Sequence, residues 1–374
     1  MRCGHPFLWR RPVLPVWERA NPTHPVFAVF SDVVRFAFVF ACCLLLTGPV
    51  AAGEPVLRVL AWPGYADPDV VKAFETLYHV KVEVTLVDSD EALWNKMHYG
   101  KVPPFDVLAA NTVEIQRYTH ENMLAPLDLA LLPNARLQLP RFQARSSIKG
   151  LTQGDKVYAI PFTYSSMGLI YDRKQVAVAP RSMSELWNPR YRGKVLDFNS
   201  AQHNFSFVAL ALGYPHPFDL DAMQMRTIAH KLVDMRRNLL TYYNLPEEAT
   251  AFFIQHKVAL LFGNYGTQQV ALLRRAGADV GYVIPDEGAL AWLDCWAMTS
   301  SATRRPLAQA WINYMLEPSV SALLPERQGL ANTLTAPMEG SDQTHLVWIE
   351  RVEDIDKREA LWNRIVSGDR PERF

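Results

Sequence analysis

The chain has 374 residues, of which 49% are apolar, 11% aromatic and 20% charged. This composition is typical of a well-packed globular protein and excludes disordered, collagen-like and low-complexity chains. The 38 basic and 38 acidic residues cancel, so no excess charge favours nucleic acid or an anionic membrane surface as a partner. At about 100–200 residues per domain, the length predicts two domains of an enzyme or a small-molecule-binding protein.

An apolar run near the N-terminus predicts an export signal. Residues 36–50 are almost all apolar, Arg35 precedes them, and the small residues Ala51, Ala52 and Gly53 follow. A secretory signal peptide has this layout, and about 15 apolar residues are fewer than the ~18–20 that a membrane-spanning helix needs. We predict that 1–53 is a signal region that is removed, so the mature protein is exported. A core or amphipathic helix is the alternative, but the run has no polar face.

The mature chain differs in charge and cysteine content from the full sequence. Removal of residues 1–53 leaves 33 basic and 36 acidic residues, so the mature protein is mildly acidic. Of the four cysteines only Cys295 remains. An intramolecular disulfide and a cysteine metal site are therefore both excluded for the mature chain.

Strand and helix patterns alternate at the start of the mature chain. Asp67 suits the N-cap of a helix and Pro68 suits its first turn, while apolar and polar residues alternate over 80–86 as in a strand. In chain order we predict a strand over 56–61, a helix from 68, a strand over 80–86, a helix over 90–99 and a strand over 105–110. This order predicts a parallel sheet, whose ligand edge lies at the C-terminal ends of the strands.

A second series of the same kind follows, which predicts two α/β lobes with a ligand cleft between them. It consists of a strand over 194–198, helices over 201–212, 221–239 and 246–255, a strand over 258–262, a helix over 267–276 and a strand over 280–284. Further helices are predicted over 304–316 and 320–324, and one or two helices over 343–366.

Extended strands over 158–171 and 292–299 are expected to cross between the two lobes. The first lobe then comprises 54–160, with 294–330 returning to it. The second lobe comprises 161–293, and the C-terminal helices of 331–374 are expected to pack near it.

Motifs of catalytic and cofactor sites are absent from the sequence. It has no glycine-rich phosphate loop, no HExxH, no GxSxG and no CxxC pair. Histidines of the mature chain occur singly, and His120 beside Glu121 has no second ligand nearby, which favours a surface position. We therefore predict no catalytic residue, no metal and no cofactor, although a triad assembled from distant residues would leave no such motif.

Aromatic residues stand at two breaks between predicted elements. Trp62 and Tyr65 follow the first strand, where an α/β lobe exposes loop residues at its ligand edge. Trp292 and Asp294 are two residues apart in an extended segment, so their side chains point to the same side. An indole beside a carboxylate suits an ammonium group, through cation–π attraction and a charge-assisted hydrogen bond. The alternatives are core-filling aromatic residues and an aspartate paired with a local arginine.

Several segments, taken together, resemble one protein family. They are LRVLAWPGYADPDVVKAFETLYHVKVEV (57–84), DSDEALWNKM (88–97), FDVLAAN (105–111), YAIPFTYSSMGLIYD (158–172), SELWNPRYRGKV (184–195) and IPDEGALAWLDCWAM (284–298). The set resembles the periplasmic spermidine/putrescine-binding proteins of ABC importers over nearly the whole mature chain. This resemblance implies a periplasmic-binding-protein fold that closes about a hinge on a small amine, which it delivers to an inner-membrane permease without catalysis. We expect a monomer.

Four residues match the ligand-binding positions of that family. Trp62 and Tyr65 correspond to the aromatic loop of the first lobe. Trp292 corresponds to the aromatic residue at the crossing, and Asp294 to the carboxylate beside it that binds an amine. Cys295 follows Asp294, and its side chain is expected to face the opposite side of the strand, buried and unreactive.

Elsewhere the sequence departs from the family. Relatives have acidic residues after the first strand of the second lobe, but this chain has NSAQHNF (199–205), which contains no acid. Asn111 stands where a serine is expected, and Leu330 aligns with a tyrosine. The candidate ligand contacts at these and neighbouring positions are Asn111, Ser200, His203, Asn264, Tyr265 and Thr267.

The missing acidic residues bear on the ligand. A diamine buries two charges, and leaving one without a counter-charge costs several kcal/mol, against about −8 kcal/mol for a micromolar complex. A linear polyamine is therefore disfavoured unless Asp90 or Glu91 lines the cleft, and both are expected to begin a helix, where acids are favoured. An ω-amino acid or monoamine, with its ammonium at Asp294 and its other end near His203, fits better.

Two other roles stay open at this point. The same fold serves proteins whose loaded form is read by a sensor kinase or a chemoreceptor. An enzyme on the same scaffold would use His203 as a base, but the sequence offers no second catalytic group.

Overall fold

The computed structural model describes residues 55–99, 105–336 and 345–374. The predicted signal region, 1–53, lies outside these residues. All described elements belong to one unit, Glu54–Phe374. None of the helices described there has the length and apolar character needed to pass through a membrane.

Strands and helices alternate along the described residues, as the sequence predicts. The strands are β1 (Val56–Ala61), β2 (Lys81–Leu86), β3 (Val107–Asn111), β4 (Leu124–Ala125), β5 (Thr152–Gln153), β6 (Lys156–Val157), β7 (Ala159–Ser166), β8 (Gly168–Asp172), β9 (Val195–Phe198), β10 (Leu239–Tyr243), β11 (Leu260–Gly263), β12 (Val280–Val283), β13 (Ala289–Thr299), β14 (Ala331–Asn332) and β15 (Leu346–Trp348). The helices are α1 (Pro68–Tyr78), α2 (Asp90–Tyr99), α3 (Thr112–His120), α4 (Pro140–Gln143), α5 (Ala201–Ala211), α6 (Ala222–Arg236), α7 (Pro246–Gln255), α8 (Thr267–Arg275), α9 (Arg305–Met315), α10 (Pro318–Ser321) and α11 (Ile355–Val366).

The first sheet contains the predicted β-α-β-α-β unit. Its strand order is β14-β7-β13-β3-β1-β2, and β4 and β15 also pair with β13. β1 pairs in parallel with β2 and with β3, which confirms the predicted parallel arrangement. Helices α1 and α9 pack on one face, around Trp311, and α2, α3 and α4 pack on the other, around Tyr118. The C-terminal ends of β1, β2 and β3 therefore share one edge, where the predicted ligand loops begin.

The second sheet has the order β10-β9-β11-β8-β12. β9 pairs in parallel with β10 and β11, whereas β8 is antiparallel to β11 and β12. Helices α5, α6 and α11 pack on one face, and α7 and α8 on the other. The two predicted α/β lobes are thus confirmed, each with helices on both faces of its sheet.

The chain passes between the sheets at two places. β7 belongs to the first sheet and β8 to the second, so the crossing predicted over 158–171 occurs at Met167. The chain returns over 284–288, between β12 and β13. The crossing predicted over 292–299 is wrong, because β13 pairs along this stretch with β3 and β7 of the first sheet.

One tyrosine holds the first crossing. The Tyr282 hydroxyl donates to the carbonyl of Ser166 at 2.8 Å and accepts from the amide of Gly168 at 3.2 Å. The amide of Met167, between them, donates to the carbonyl of Leu290 at 2.7 Å. These bonds tie the two crossing segments to each other.

Two predicted helices are partly strand. The helix predicted over 221–239 ends early, and Leu239–Tyr243 forms β10 beside β9. The helix predicted over 343–366 begins only at Ile355, because β15 pairs with β13. Both strands form through pairing with a distant strand, which local sequence patterns do not contain.

The predicted lobe limits stay a prediction. The limits at 160/161 and 293/294 fall inside β7 and β13, and both strands pair in the first sheet. In the stretch 331–374, β14 and β15 pair in the first sheet, whereas α11 packs against α5 and α6 beside the second.

Candidate ligand-binding cleft

The loop after β1 places two aromatic side chains at the edge of the first sheet. Gly64 turns the chain there with a φ of 83°, which glycine adopts readily. The Trp62 indole donates to the carbonyl of Ala109 on β3 at 3.2 Å. Tyr65 is 5% exposed, and its ring contacts Phe162 edge to face with 5.4 Å between centroids. Both side chains are therefore anchored on the first sheet.

Asp294 is a nearly buried carboxylate on β13. It is 8% exposed, and the Tyr65 hydroxyl donates to its Oδ2 at 2.6 Å. Tyr65 is its one hydrogen-bonding side chain among the described residues, so the alternative of a local arginine partner is wrong. Burial raises the pKa of Asp294 to about 7; the Tyr65 hydrogen bond lowers it, and the charge of Asp90 raises it. Such a carboxylate is stabilised strongly by a bound cation.

Trp292 lies on the same face of β13 as Asp294, as the two-residue spacing predicts. Leu293 and Cys295 pack in the core on the opposite face, and burial raises the pKa of the Cys295 thiol. The Trp292 indole donates to the carbonyl of Asn264 at 3.2 Å. Because Asn264 follows β11 of the second sheet, this hydrogen bond joins the two sides of the cleft.

Asn111 connects two carboxylates. Its Oδ1 caps α3 by accepting from the amides of Val113 and Glu114. Its Nδ2 donates to both carboxylate oxygens of Asp90 at 3.0 Å. On the β3–β13 ladder, Asn111 is the partner of Asp294. The side chain therefore positions Asp90 next to the strand that carries Asp294.

A polar cavity of about 470 Å³ opens between α2 and the helices of the second sheet. Asp90 lines it from α2, Ser200 and His203 from the start of α5, and Glu359 from α11. Asp90 begins α2, as predicted, and it also lines this cavity. The surrounding protein raises the pKa of Asp90 by desolvation, an effect that the Asn111 amide opposes.

His203 is a neutral ring in this cavity. Its Nδ1 lies 2.9 Å from Oδ1 of Asn264, and an amide oxygen only accepts, so Nδ1 carries the proton. Burial lowers the pKa of His203 to about 4, which leaves Nε2 as an acceptor at neutral pH. Ser200 Oγ caps α5 by accepting from the His203 amide at 3.3 Å. The side of the cavity formed by Ser200 and His203 therefore offers hydrogen-bond acceptors and carries no imidazolium charge.

Of the predicted ligand contacts, Ser200 and His203 line that cavity, and Tyr265 and Thr267 make contacts elsewhere. The Tyr265 hydroxyl donates to the carbonyl of Asn244 at 3.0 Å. Thr267 Oγ1 donates to the carbonyl of Gly329 at 2.7 Å, and Thr267 lines a different cavity of about 720 Å³ together with Leu330. Direct contacts join most of the other predicted residues, whose binding of a ligand stays a prediction. These residues are Tyr65, Asn111, Ser200, His203, Asn264, Trp292 and Asp294.

The sequence gives little sign of the surroundings of two acidic residues, Asp90 and Glu114. Asp90 follows β2, whose C-terminal end belongs to the predicted ligand edge. This position in the chain is the feature of the sequence that indicates a place for Asp90 at the cleft. Glu114, on α3, is 7% exposed; its Oε2 has no hydrogen-bond partner but lies 3.8 Å from Nη1 of Arg117 in an ion pair. Burial and the charge of Asp90 raise the pKa of Glu114 to about 7. Across the described ranges, no three His, Cys, Asp or Glu residues form a group that could hold a metal ion.

The chain is similar to known binding proteins over most of its length. It is 24% identical over 318 residues to the spermidine/putrescine-binding periplasmic protein of Escherichia coli (strain K12), which is 80% of this chain and 88% of that protein. It is 22% identical over 278 residues to a norspermidine sensor of Vibrio cholerae, which is 72% of each.

A solved structure and a family model agree with these relatives. The spermidine/putrescine ABC transporter substrate-binding protein PotD of Streptococcus pneumoniae superposes with a TM-score of 0.71 at 22% identity, over 84% of this chain and 99% of that one. This likeness confirms the predicted periplasmic-binding-protein fold. The model of the bacterial extracellular solute-binding proteins matches residues 69–338. The chain therefore belongs to the bacterial extracellular solute-binding protein family.

Proposed function

We propose that the chain binds a small cationic amine in the periplasm and delivers it, as a monomer and without catalysis, to an ABC importer of the inner membrane. Its family supports the solute-binding role. The periplasmic relative named for spermidine and putrescine supports the location and the ligand class, and the predicted signal region supports export. The observation that carries the amine assignment is Asp294, a nearly buried carboxylate that Tyr65 contacts and Trp292 flanks.

The charges of the cleft favour a polyamine-like ligand over an ω-amino acid. Asp294 and Asp90 supply two carboxyl groups on the side of the first sheet. On the other side His203 is neutral, since its pKa is lowered to about 4. The carboxylate of an amino acid would meet like charges and a neutral imidazole, which disfavours its binding. A linear polyamine is expected to fit only if Asp90 or Glu91 lines the cleft, and Asp90 lines the cavity there.

A second candidate role is ligand sensing, because one relative is named a norspermidine sensor. Both roles use the same binding chemistry and differ in the partner that reads the loaded protein. Uptake of labelled putrescine by a strain lacking the gene separates them. An importer component predicts lost uptake, whereas a sensor predicts unchanged uptake and a lost response to external polyamine.

Calorimetric titration of the Asp294→Asn variant with putrescine tests the amine assignment. The variant keeps the shape of the side chain and removes the charge, which should weaken binding about 100-fold or more. Asp155→Asn is the control, because it removes an exposed carboxylate on the β5–β6 hairpin. Wild-type affinity in a folded Asp294→Asn variant would refute the assignment.

A further inference from the structure

Asp90 and Asp294 are connected through a single residue. Asn111 donates to both oxygens of Asp90 and is the ladder partner of Asp294. Antiparallel partners lie directly opposite each other on neighbouring strands, so the Asn111 amide holds Asp90 beside the strand that carries Asp294. The charge of Asp90 is also close enough to raise the pKa of Asp294.

The hydrogen bonds of Asp294 point independently to a ligand in this space. Tyr65 donates to Oδ2, and within the described residues no donor contacts Oδ1. A carboxylate that is 8% exposed has lost most of its hydration, and Oδ1 is not among the fully buried unpartnered atoms, so this oxygen is the part of the group that a ligand can reach. An ammonium group beside Asp294 would supply the missing donor.

The opposite wall of the cavity holds a ligand less firmly. Ser200 and His203 are neutral, and Glu359 on α11 is exposed, as is Asp90 on the facing wall. In the described part of the chain Glu359 makes no hydrogen bond, so it must lose side-chain freedom to bind a ligand. Two hydrogen bonds from Asn111 already fix Asp90. Asp90 is therefore the better prepared anchor.

We infer that Asp90 is the counter-charge for a second cationic group of the ligand, so that both fixed charges of the cleft lie on the side of the first sheet. The inference rests on the proposed amine-binding function. The ligand then binds first to that side. The second sheet closes over it with neutral acceptors from Ser200 and His203.

Calorimetry of the full chain with two probes tests the role of Asp90. Putrescine carries two ammonium groups, and n-butylamine has the same carbon chain with one. Asp90→Asn should weaken putrescine binding about tenfold or more and leave n-butylamine within about twofold. The matched control is Glu91→Gln, on the same helical turn but outside the cavity, and it should change neither affinity. Glu359→Gln should cost less than about threefold.

The outcomes separate this inference from the proposed function. It is overturned if Asp90→Asn keeps the wild-type preference for putrescine, or if Glu359→Gln causes the larger loss. Asp90→Ser, a second variant, must reproduce the loss with a wild-type melting temperature. A wild-type chain that binds both probes equally refutes the inference alone. A wild-type chain that binds neither refutes the proposed function as well.

Discussion

Lowering the pH from about 8 to about 5 should weaken amine binding about a hundredfold, because Asp294 must be ionised to pair with an ammonium group. Burial raises the pKa of Asp294 to about 7. The carboxyl group is then about 90% ionised at pH 8, about 10% at pH 6 and about 1% at pH 5. If one proton must leave before the ligand binds, the dissociation constant rises in the same proportions.

The neighbours of Asp294 determine how much of this pH dependence belongs to it. The titratable groups around Asp294 are Tyr65, Asp90 and Cys295. Tyr65 and Cys295 have raised pKa values and stay neutral. Glu114, with a pKa of about 7, titrates over the same range and interacts with Asp90. His203 stays neutral throughout, since its pKa is about 4. Asp294→Asn should therefore leave only the smaller dependence that comes from Asp90 and Glu114.

Titration calorimetry with putrescine at several pH values measures the effect. Repeating each titration in two buffers of different ionisation enthalpy counts the protons exchanged. About one proton should be released per ligand near pH 6. A dissociation constant that stays flat between about pH 5 and 8, or proton uptake on binding, would refute the reasoning.

Three further variants test individual contacts. Tyr65→Phe removes a hydrogen bond that lowers the pKa of Asp294. The pH midpoint of amine binding should therefore rise, and the affinity near pH 7 should fall about fivefold or more. An unchanged midpoint contradicts this expectation. Glu114→Gln should unfold with a higher free energy than wild type at about pH 8, by up to about 3 kcal/mol. The pKa of Glu114 is raised, so its ionisation destabilises the folded protein as the pH rises from about 4.5 to 7. Urea unfolding that shows the same gain in free energy at about pH 4 as at pH 8 argues against this. Tyr282→Phe removes the hydrogen bonds of the hydroxyl to Ser166 and Gly168. This change should lower the free energy of unfolding by about 1–3 kcal/mol and speed amide exchange of Gly168. Unchanged exchange at Gly168 speaks against that role.

Elements with strong local signals were predictable from the sequence. β1, α2 and α7 have the predicted limits, because a buried apolar run, acidic residues in a first turn and a proline at a helix start are all local features. The parallel pairing of β1 with β2 and β3 follows from the order of these elements. The shared face of Trp292 and Asp294 follows from strand geometry alone.

Features that depend on distant partners were not predictable. β10 and β15 exist because β9 and β13 lie beside them. Asp67 occupies the N-cap position of α1, but its carboxylate binds Arg327 at 2.9 Å and does not cap the helix. Asp90 has the local pattern of a helix start. Its place in the cleft follows from two tertiary features: α2 lies at the edge of the cavity, and the amide of Asn111 binds the Asp90 carboxylate.

Thermal unfolding of the purified chain from Glu54 onward, with a panel of solutes, tests the central claim most directly. The panel consists of putrescine, spermidine, γ-aminobutyrate, 5-aminovalerate and a neutral sugar. A ligand at about 100 times its dissociation constant adds about 2.7 kcal/mol, which raises the melting temperature by several degrees. The account predicts this rise with putrescine or spermidine and its absence in Asp294→Asn. A rise with the sugar or the amino acids alone would contradict a cleft that binds polyamines through Asp294.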